Sequence, residues 1–370
     1  MRVGCVKEIK KHEYRVGLTP ENVHAYCQHG HEVFIEAGAG EGSGFSDGAY
    51  EEMGATILTS ADEVWASADM TVKIKEPLAD EYDKIRENQI IYTYLHLAAD
   101  KPLTEALLRR KAKAVAYETI RDKNGGLPLL KPMSEVAGRL SVQEGAKYLE
   151  KPMGGMGVLL GGVPGVPRAR VAIIGGGVVG TNAAKIAVGM GADVVIIDMS
   201  LERLTYLDDL FGSNVQTMYS QEATIESEIK KADLVIGAVL IPGRAAPKLI
   251  KRKYLPGMKN GSVIVDVAVD QGGFCETTRA TYHDDPVFVI DGVVHYCVAN
   301  MPGAVARTST IALTNATLRY GLTLADMGLE GALKKSPELS GGVNCYKGRL
   351  TCREVAESLG MEFTELGSLL

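Results

Sequence analysis

The chain has 370 residues and a formal net charge of −6, and 46% of its residues are hydrophobic while 23% are charged. This composition is typical of a globular protein, the length favours two domains, and the acidic balance argues against a basic surface for nucleic acid or anionic lipid. No apolar run approaches the roughly 20 residues of a membrane helix, and the N-terminus carries charges where a signal peptide has its apolar core. We therefore expect a cytoplasmic protein with no membrane or nucleic-acid partner.

The first part of the chain alternates predicted strands and helices. Short apolar runs indicate the strands, and longer stretches of helical periodicity indicate the helices. The predicted elements are strands at 1–6, 32–36, 70–74, 89–94 and 114–117, and helices at 20–29, 79–86 and 103–111. Thr19 and Pro20 are typical start signals for the first of these helices. This rhythm predicts an α/β domain of about 130 residues.

A glycine-rich motif lies near the middle of the chain. A short apolar run at 171–174 predicts a buried strand, and the alanine-rich stretch 181–190 predicts a helix. Between them, Gly175, Gly177 and Gly180 have the spacing G-x-G-x-x-G. In such a motif the first glycine allows a sharp turn, the second lets the backbone approach a pyrophosphate, and the third lets the helix pack on its strand. The motif therefore predicts a dinucleotide site at a helix N-terminus.

The context of the motif supports that interpretation. A second predicted strand, 193–197, ends at Asp198, whose carboxylate can bind the ribose hydroxyls and would repel a 2′-phosphate. This favours NAD over NADP. Arg203 leaves the cofactor choice open, since it could meet a 2′-phosphate, lie over the adenine edge or face solvent. The alternative is a structural strand–helix–strand unit in which Asp198 merely caps a strand.

The segments on either side of the motif extend this organisation. Upstream, 134–149 has a helical pattern with Ser134 as its N-cap. The glycine- and proline-rich stretch 151–167 is either a plain linker or a connection that enters the dinucleotide domain. The elements predicted downstream are strands at 215–219, 234–238, 262–267 and 288–290, and a helix at 225–230. The remainder, 309–370, has helical spacing, and we expect its helices to return to the first domain.

Together these elements predict an α/β fold with two Rossmann-like, doubly wound domains. We expect 1–130 and 305–370 to form a discontinuous substrate domain. An NAD-binding domain, 131–304, is expected to be inserted between these two segments. A ligand is expected in the cleft between the domains.

The six cysteines are scattered along the chain without a C-x-x-C pair. In a reducing compartment this pattern favours buried or idle thiols over disulfides or a zinc site. We therefore expect no metal.

Two cationic residues of the first domain are candidates for binding an acidic substrate. Arg15 follows the first predicted strand, and a guanidinium can clamp a carboxylate with two parallel hydrogen bonds. Lys75 lies near the end of a predicted strand, just before Pro77, where open α/β sheets place their sites. Lys73 and Lys75 alternate with apolar residues, so a lysine pair on an exposed sheet face is the alternative.

His96 and Asp270 are candidates for acid–base chemistry. His96 follows the strand at 89–94, and imidazole is the usual acid or base near neutral pH. A histidine at a strand end can also have a purely structural role. Asp266 and Asp270 lie on one apolar strand, so one of the two can be structural. Asp270 stands at the C-terminal end of the strand beside two glycines, so it is the better catalytic candidate.

Seven segments carry a resemblance to one family. They are VKEIKKHEYRVGLTPENV, EAGAGEGSGFSDGAY, VKIKEP, YTYLHLA, GVLLGGVPGVPRARVAIIGGGVVGTNAAKIA, DVAVDQGG and DGVVHYCVANMPGAVARTSTIALTNATLRY. Through them the sequence closely resembles the bacterial L-alanine dehydrogenases over essentially its whole length, although the pattern loosens past Gly341.

The resemblance implies a role for each candidate. Arg15 and Lys75 would hold the carboxylate and carbonyl region of the substrate, His96 would be the acid/base, and Asp270 would handle the water or amine. The implied NAD contacts are Ser134, Val178, Val179, Asp198, Arg203, Ser220, Val239, Leu240, Val267, Ala268, Val269, Asp270, Arg279, Val298, Ala299, Asn300 and Met301. The implied reaction is the reversible oxidative deamination of L-alanine to pyruvate and ammonia with hydride transfer to NAD⁺, and the implied assembly is a homohexamer.

Two other functions are compatible with parts of the pattern. A saccharopine-type or other opine-forming dehydrogenase would need room for a second, larger amino acid. A nucleotide-binding subunit like the soluble domain of proton-translocating transhydrogenase would share the nucleotide domain and much of the first domain, but it would work with a membrane partner. The joint presence of Arg15, Lys75 and His96, without a membrane segment, argues against the second.

Overall fold

The computed structural model describes residues 1–239 and 246–370, and the chain divides into two compact units. Met1–Met133 and Gly303–Leu370 form the first, which we call the terminal unit because it contains both chain ends. Ser134–Pro302 form the second, the central unit. The chain thus leaves the terminal unit once, builds the central unit and returns.

Short strands and helices follow one another through both units. In the described part of the chain the strands are β1 (Arg2–Cys5), β2 (Glu32–Glu36), β3 (Thr56–Leu58), β4 (Met70–Val72), β5 (Ile90–Thr93), β6 (Lys113–Ala116), β7 (Arg170–Ile174), β8 (Asp193–Asp198), β9 (Val215–Tyr219), β10 (Leu234–Gly237), β11 (Val263–Asp266), β12 (Val287–Ile290), β13 (Val293–Tyr296), β14 (Val343–Tyr346) and β15 (Arg349–Leu350). The helices are α1 (Pro20–Gln28), α2 (Asp47–Glu52), α3 (Ala61–Ser67), α4 (Ala79–Tyr82), α5 (Lys101–Arg109), α6 (Lys131–Tyr148), α7 (Val178–Gly189), α8 (Leu201–Phe211), α9 (Glu222–Lys231), α10 (Ala306–Lys335) and α11 (Arg353–Leu359).

The sheet of the terminal unit has the strand order β15-β14-β6-β5-β4-β1-β2-β3. Strands β1 to β6 are parallel, and the order runs outward in both directions from β1 and β4. Strands β4 and β5 are buried at every position, as expected of a parallel sheet with both faces covered. The doubly wound arrangement expected for the first part of the chain is confirmed. Its strand order reverses between β1 and β4, which is where such sheets place ligands.

The C-terminal segment differs from the expectation that it contains only helices. Strands β14 and β15 form an antiparallel pair, and β14 also pairs antiparallel with β6. The prediction for 309–370 was wrong here because a segment as short as the four residues of β14 shows no periodicity that separates strand from helix. The addition covers the open edge of β6.

The sheet of the central unit has the order β12-β13-β11-β10-β7-β8-β9. All its pairs are parallel except the edge pair of β12 and β13. Counted from β7, the six parallel strands follow the order 3-2-1-4-5-6, the arrangement that binds dinucleotides where the strand order reverses. Here that point lies between β7 and β10. The Rossmann-like topology predicted for this part of the chain is confirmed.

Two local predictions were wrong. Helix α6 begins at Lys131, so Ser134 lies inside its first turns and is not its N-cap. Strand β4 ends at Val72, so Lys73 and Lys75 follow the strand instead of alternating along it.

In residues 1–239 and 246–370 no helix is long and apolar enough to cross a membrane.

Candidate active site

The glycine motif of the central unit turns sharply from β7 into α7. Gly175 has a φ of +101°, and a Cβ built on it would lie 2.9 Å from the carbonyl carbon of Ala238 on the neighbouring chain segment. A Cβ on Gly180 would lie 1.8 Å from the carbonyl oxygen of Gly175, so α7 packs directly against the turn. These two positions accept only glycine because the backbone itself fills the space.

Gly177 has the opposite environment. A Cβ built on it would meet no atom within 4 Å, and Gly177 is the N-cap of α7 without a side-chain cap. The N–H groups of the first helical turn have no partners within the helix, and the helix dipole favours negative charge there. An open approach to such a helix start fits a pyrophosphate, so the residues present suit a dinucleotide.

Asp198 and Arg203 hold the glycine loop from two sides. The Gly176 N–H donates to Asp198 Oδ2 at 2.6 Å, and the Ser200 N–H donates to Asp198 Oδ1 at 2.8 Å. Arg203 Nε donates to the Gly176 carbonyl oxygen at 2.6 Å, and its Nη2 donates to Thr181 Oγ1 at 2.6 Å. Arg203 therefore braces the loop, a role that the three sequence-based alternatives did not include.

Most of the predicted NAD contacts follow the C-terminal ends of parallel strands. The segment from Gly175 to Gly180 follows β7, Asp198 ends β8, and Ser220 follows β9. Val239, the residues from Val267 to Asp270 and those from Val298 to Met301 come after β10, β11 and β13 respectively. The carboxyl ends of parallel strands share one edge of a sheet, which is the edge where doubly wound sheets bind nucleotides.

The other predicted contacts lie elsewhere. Ser134 is a half-buried residue of α6. The Arg279 guanidinium lies 4.4 Å from the ring centroid of Phe288. Leu240 lies outside the described residues.

Asp266, the last residue of β11, and Asp270, in the turn that follows it, have different environments. Asp266 is fully buried; its Oδ1 accepts the Ala268 N–H, and its Oδ2 accepts the Phe274 N–H and the Thr278 hydroxyl. Burial raises the pKa of Asp266, although these bonds oppose the shift. Asp270 is exposed, and its Oδ2 accepts the Asn300 N–H at 3.4 Å. Asp266 therefore organises the turn, and Asp270 is accessible to a ligand.

In the terminal unit Arg15 is buried and bound to a carboxylate of the chain itself. Its Nε and Nη2 donate to Glu13 Oε1 and Oε2, each at 2.6 Å, and its Nη1 contacts Met133 Sδ at 3.1 Å. Burial opposes the charged guanidinium, but the bonds and charge of Glu13 outweigh it and raise the pKa of Arg15. The two-bond clamp expected for a substrate is thus formed with Glu13 in this structure.

Lys75 lies close enough to Arg15 for the charge of the guanidinium to affect the Lys75 ammonium. Burial, and next the positive charge of Arg15, lower the pKa of Lys75. Among the residues that the structure describes, none forms a hydrogen bond with the Lys75 ammonium. The negative charges of Glu76 and Glu13 oppose this shift, so the surroundings of Lys75 contain both cations and carboxylates.

Buried charges hold the segment that carries Lys75. Lys73 is fully buried, and its Nζ donates to Glu8 Oε2 at 3.2 Å and to Glu81 Oε1 at 3.0 Å. Glu8 Oε1 accepts the N–H groups of Ile74 at 2.6 Å and of Lys75 at 3.2 Å. The exposed lysine pair that was the alternative is therefore wrong, since Lys73 belongs to the core.

His96 follows β5 in a left-handed backbone conformation, with φ 50° and ψ 35°. Its side chain is half exposed, and its ring stacks on that of Tyr94, with centroids 5.7 Å apart. The His96 N–H donates to Glu118 Oε1 at 2.6 Å. The left-handed conformation is unfavourable for a non-glycine residue, and residues strained in this way cluster at functional sites.

Sequence reasoning missed the carboxylates that hold these residues. Glu13 lies two residues before Arg15, Glu8 follows β1, and Glu118 follows β6. Only Glu13 had a local signal, because a carboxylate two residues from an arginine in one loop can reach it. In residues 1–239 and 246–370, no cluster of three or more His, Cys, Asp or Glu side chains could hold a metal ion.

The strand order of the central unit, its glycine turn and the carboxylate ending β8 define a protein with a doubly wound dinucleotide-binding domain. Two family models match the chain: Alanine dehydrogenase/PNT, N-terminal domain, over residues 4–137, and Alanine dehydrogenase/PNT, C-terminal domain, over residues 141–353. The chain belongs to the alanine dehydrogenase/PNT family.

Individual relatives agree with this assignment. Alanine dehydrogenase 2 of Staphylococcus aureus strain USA300 is 54% identical over 371 residues, covering 100% of both chains. The solved structure of an L-alanine dehydrogenase is 53% identical with a TM-score of 0.95, and the match covers 97% of this chain and 99% of that one. A transhydrogenase from Sinorhizobium meliloti is 25% identical with a TM-score of 0.83, covering 95% and 99%.

The contrast between Gly177 and Gly180 gives a matched pair of variants. Gly177→Ala is expected to change the free energy of unfolding by less than about 1 kcal/mol, yet to weaken NADH binding about tenfold or more, because the methyl group occupies the open approach. Gly180→Ala is expected to cost about 1–3 kcal/mol or more, because its methyl group would displace backbone. Urea unfolding without nucleotide and fluorescence titration with NADH separate the two effects. Equal loss of stability in both variants would contradict this assignment.

Proposed function

We propose that the chain is an NAD-dependent L-alanine dehydrogenase, which converts L-alanine, water and NAD⁺ reversibly to pyruvate, ammonium, NADH and a proton. The full-length identity of 54% to an alanine dehydrogenase carries this proposal. The open glycine turn at Gly177 and the carboxylate of Asp198 support the choice of NAD. Asp198 can accept hydrogen bonds from the ribose hydroxyls while it keeps its bonds to the backbone N–H groups of the loop, because each carboxylate oxygen has a second lone pair.

The residues of the terminal unit suit the acidic end of the substrate. Arg15 and Lys75 supply positive charge for the carboxylate and carbonyl region of the substrate. Glu8 fixes the backbone of Lys75 by accepting a hydrogen bond from its N–H. Bound NAD⁺ would supply the acceptor for the hydride of the L-alanine Cα. This leaves an electrophilic imine carbon to which water adds.

Proton transfer completes the reaction. His96 takes a proton from the attacking water and gives it to the nitrogen of the carbinolamine. When the C–N bond breaks, Asp270 takes the remaining hydroxyl proton, so that ammonia leaves and pyruvate remains. Asp270 assists with the water or amine, as its exposed carboxylate allows. In the reverse direction the same groups serve reductive amination.

We propose that the enzyme works in the cytoplasm as a homohexamer on small-molecule substrates. Static light scattering of the purified protein tests the assembly: a mass near that of a monomer, 39.6 kDa, would contradict it.

Absorbance at the NADH band tests the function directly. Purified protein with NAD⁺ and L-alanine is expected to form NADH, while D-alanine and L-lysine are expected to form none, and NADP⁺ is expected to be a far poorer acceptor. No NADH formation with L-alanine, together with tight NADH binding, would favour a transhydrogenase-like binding protein. Turnover only when a keto acid and a second, larger amino acid are supplied would favour an opine-forming enzyme.

A further inference from the structure

We propose that Glu118 is a positioning residue for His96: it holds the strained backbone of His96 and orients the imidazole with Nδ1 towards its own carboxylate, leaving Nε2 for the reacting group. This inference rests on the proposed function, in which His96 is the acid/base. Glu118 would act through His96 and would touch neither substrate nor cofactor.

The sheet brings the two residues together. Strands β5 and β6 are parallel neighbours, with Thr93 paired to Ala116, so their carboxyl ends adjoin. His96 follows β5, and Glu118 lies in the 3₁₀ turn Tyr117–Thr119 that follows β6. The side chain of Glu118 reaches from one strand end to the other.

The carboxylate first holds the backbone. Glu118 Oε1 accepts the His96 N–H at 2.6 Å and the Leu95 N–H at 3.1 Å, and its Oε2 lies 3.3 Å from the same Leu95 nitrogen. Hydrogen bonds to an ionised acceptor are among the stronger ones in proteins. They offset the cost of the left-handed conformation of His96, whose φ is 50°.

The same oxygen also faces the imidazole. Glu118 Oε1 lies 4.0 Å from His96 Nδ1, and the Glu118 side chain is only 15% exposed. Tyr94 covers one face of the imidazole ring with an interplanar angle of 8°, and its hydroxyl is itself fixed by a 2.6 Å bond to the Leu129 carbonyl oxygen. Of the two ring nitrogens, Nδ1 is the one that the structure records beside the carboxylate.

This arrangement has a chemical consequence. A carboxylate beside Nδ1 favours the tautomer that carries its proton there, so Nε2 keeps its lone pair for the proton of the attacking water. Glu118 should therefore contribute to turnover more than to binding of L-alanine.

Glu118→Gln separates the two roles. The amide oxygen can still accept the backbone N–H groups of Leu95 and His96, but the charge is gone. We expect kcat for alanine oxidation to fall about 10- to 100-fold, with KM for L-alanine within about threefold, and NADH affinity and thermal midpoint close to those of the wild type. Glu118→Ala removes both roles and should also lower the thermal midpoint.

Glu63→Gln is the matched control. Glu63 Oε2 also accepts two backbone N–H groups, those of Thr59 at 3.0 Å and Ser60 at 3.1 Å, at the start of α3. The change in chemistry is the same, but no histidine is involved. Turnover of Glu63→Gln is expected to match that of the wild type.

A double-mutant cycle with His96→Asn shows whether Glu118 acts through His96. In the His96→Asn background, Glu118→Gln is expected to change kcat by less than about twofold, because the group that it serves is absent. An unchanged kcat in the single Glu118→Gln variant, an equal loss in both backgrounds, or loss of the fold on Glu118→Gln would overturn the inference alone. A wild-type protein that forms no NADH from L-alanine would overturn the proposed function as well.

Discussion

His96→Asn is expected to lower kcat for L-alanine oxidation by about 10²- to 10⁴-fold while leaving NADH binding nearly unchanged, because the variant loses the proposed acid/base. Asparagine suits this test better than alanine. It tolerates the left-handed conformation that His96 adopts, with φ 50°, so the loop keeps its backbone, and it does not titrate near neutral pH. Initial rates and NADH fluorescence titration give the two readouts.

His24→Ala provides the comparison for this variant. His24 is an exposed histidine on α1, and its loss is expected to leave turnover unchanged. Turnover of His96→Asn within about threefold of the wild type would show that another group transfers the proton. Equal loss of NADH affinity and turnover would instead place His96 in nucleotide binding.

Lys73→Met is expected to lower the free energy of unfolding by about 3–5 kcal/mol, because it leaves two buried carboxylates without their cation. Lys73 lies between Glu8 and Glu81, and all three are nearly or fully buried. Urea unfolding measures the loss. In the Lys73→Met background, Glu81→Gln should restore part of the stability, since it removes one of the two charges.

The pH dependence of this loss has a definite sign. Burial raises the pKa of Glu8, and in the native protein Lys73 opposes that shift. Without Lys73 the pKa of Glu8 in the folded protein should rise further above its value in the unfolded chain. Protonation of Glu8 then stabilises the folded protein at low pH, and this stabilisation is lost as the pH rises through the raised pKa. The deficit of Lys73→Met is therefore expected to be larger at pH 7.5 than near the ordinary glutamate pKa of about 4.3.

Lys84→Met is the control for burial. Lys84 pairs with Asp62, but that pair is exposed, with side chains 32% and 75% accessible. Its loss is expected to cost less than about 1 kcal/mol at either pH. A Lys73→Met variant that is no less stable than Lys84→Met would refute the buried-charge account.

Local patterns predicted the strand, the glycine turn and the helix of the central unit. The glycine motif, its strand and helix and the carboxylate of Asp198 follow one another along the chain, so their spacing alone indicated a nucleotide-binding turn. The roles of Gly175 and Gly180 as close backbone contacts also follow from that spacing, and the structure has them. Asp270 was preferred to Asp266 as a catalytic candidate by its position; the structure has Asp270 exposed and Asp266 buried, and the catalytic role of Asp270 stays a prediction.

Contacts between distant segments could not be read in this way. Glu118 reaches His96 only because β5 and β6 are neighbours, and strand pairing is not encoded in the spacing of either segment. The same holds for Glu8 and Lys73, whose strands β1 and β4 meet across a helix-containing connection. Strand β14 was missed because its partner β6 precedes the whole central unit.

The return of the chain to the terminal unit has a consequence during synthesis. Strand β6 has its final neighbour only when β14 pairs with it, and β14 lies near the C-terminus. Domains generally fold as they leave the ribosome, so the central unit can complete its sheet while the edge of β6 is still unpaired. An unpaired strand edge invites pairing with other chains. The nascent protein is therefore most exposed to aggregation late in translation, after its nucleotide domain has already formed.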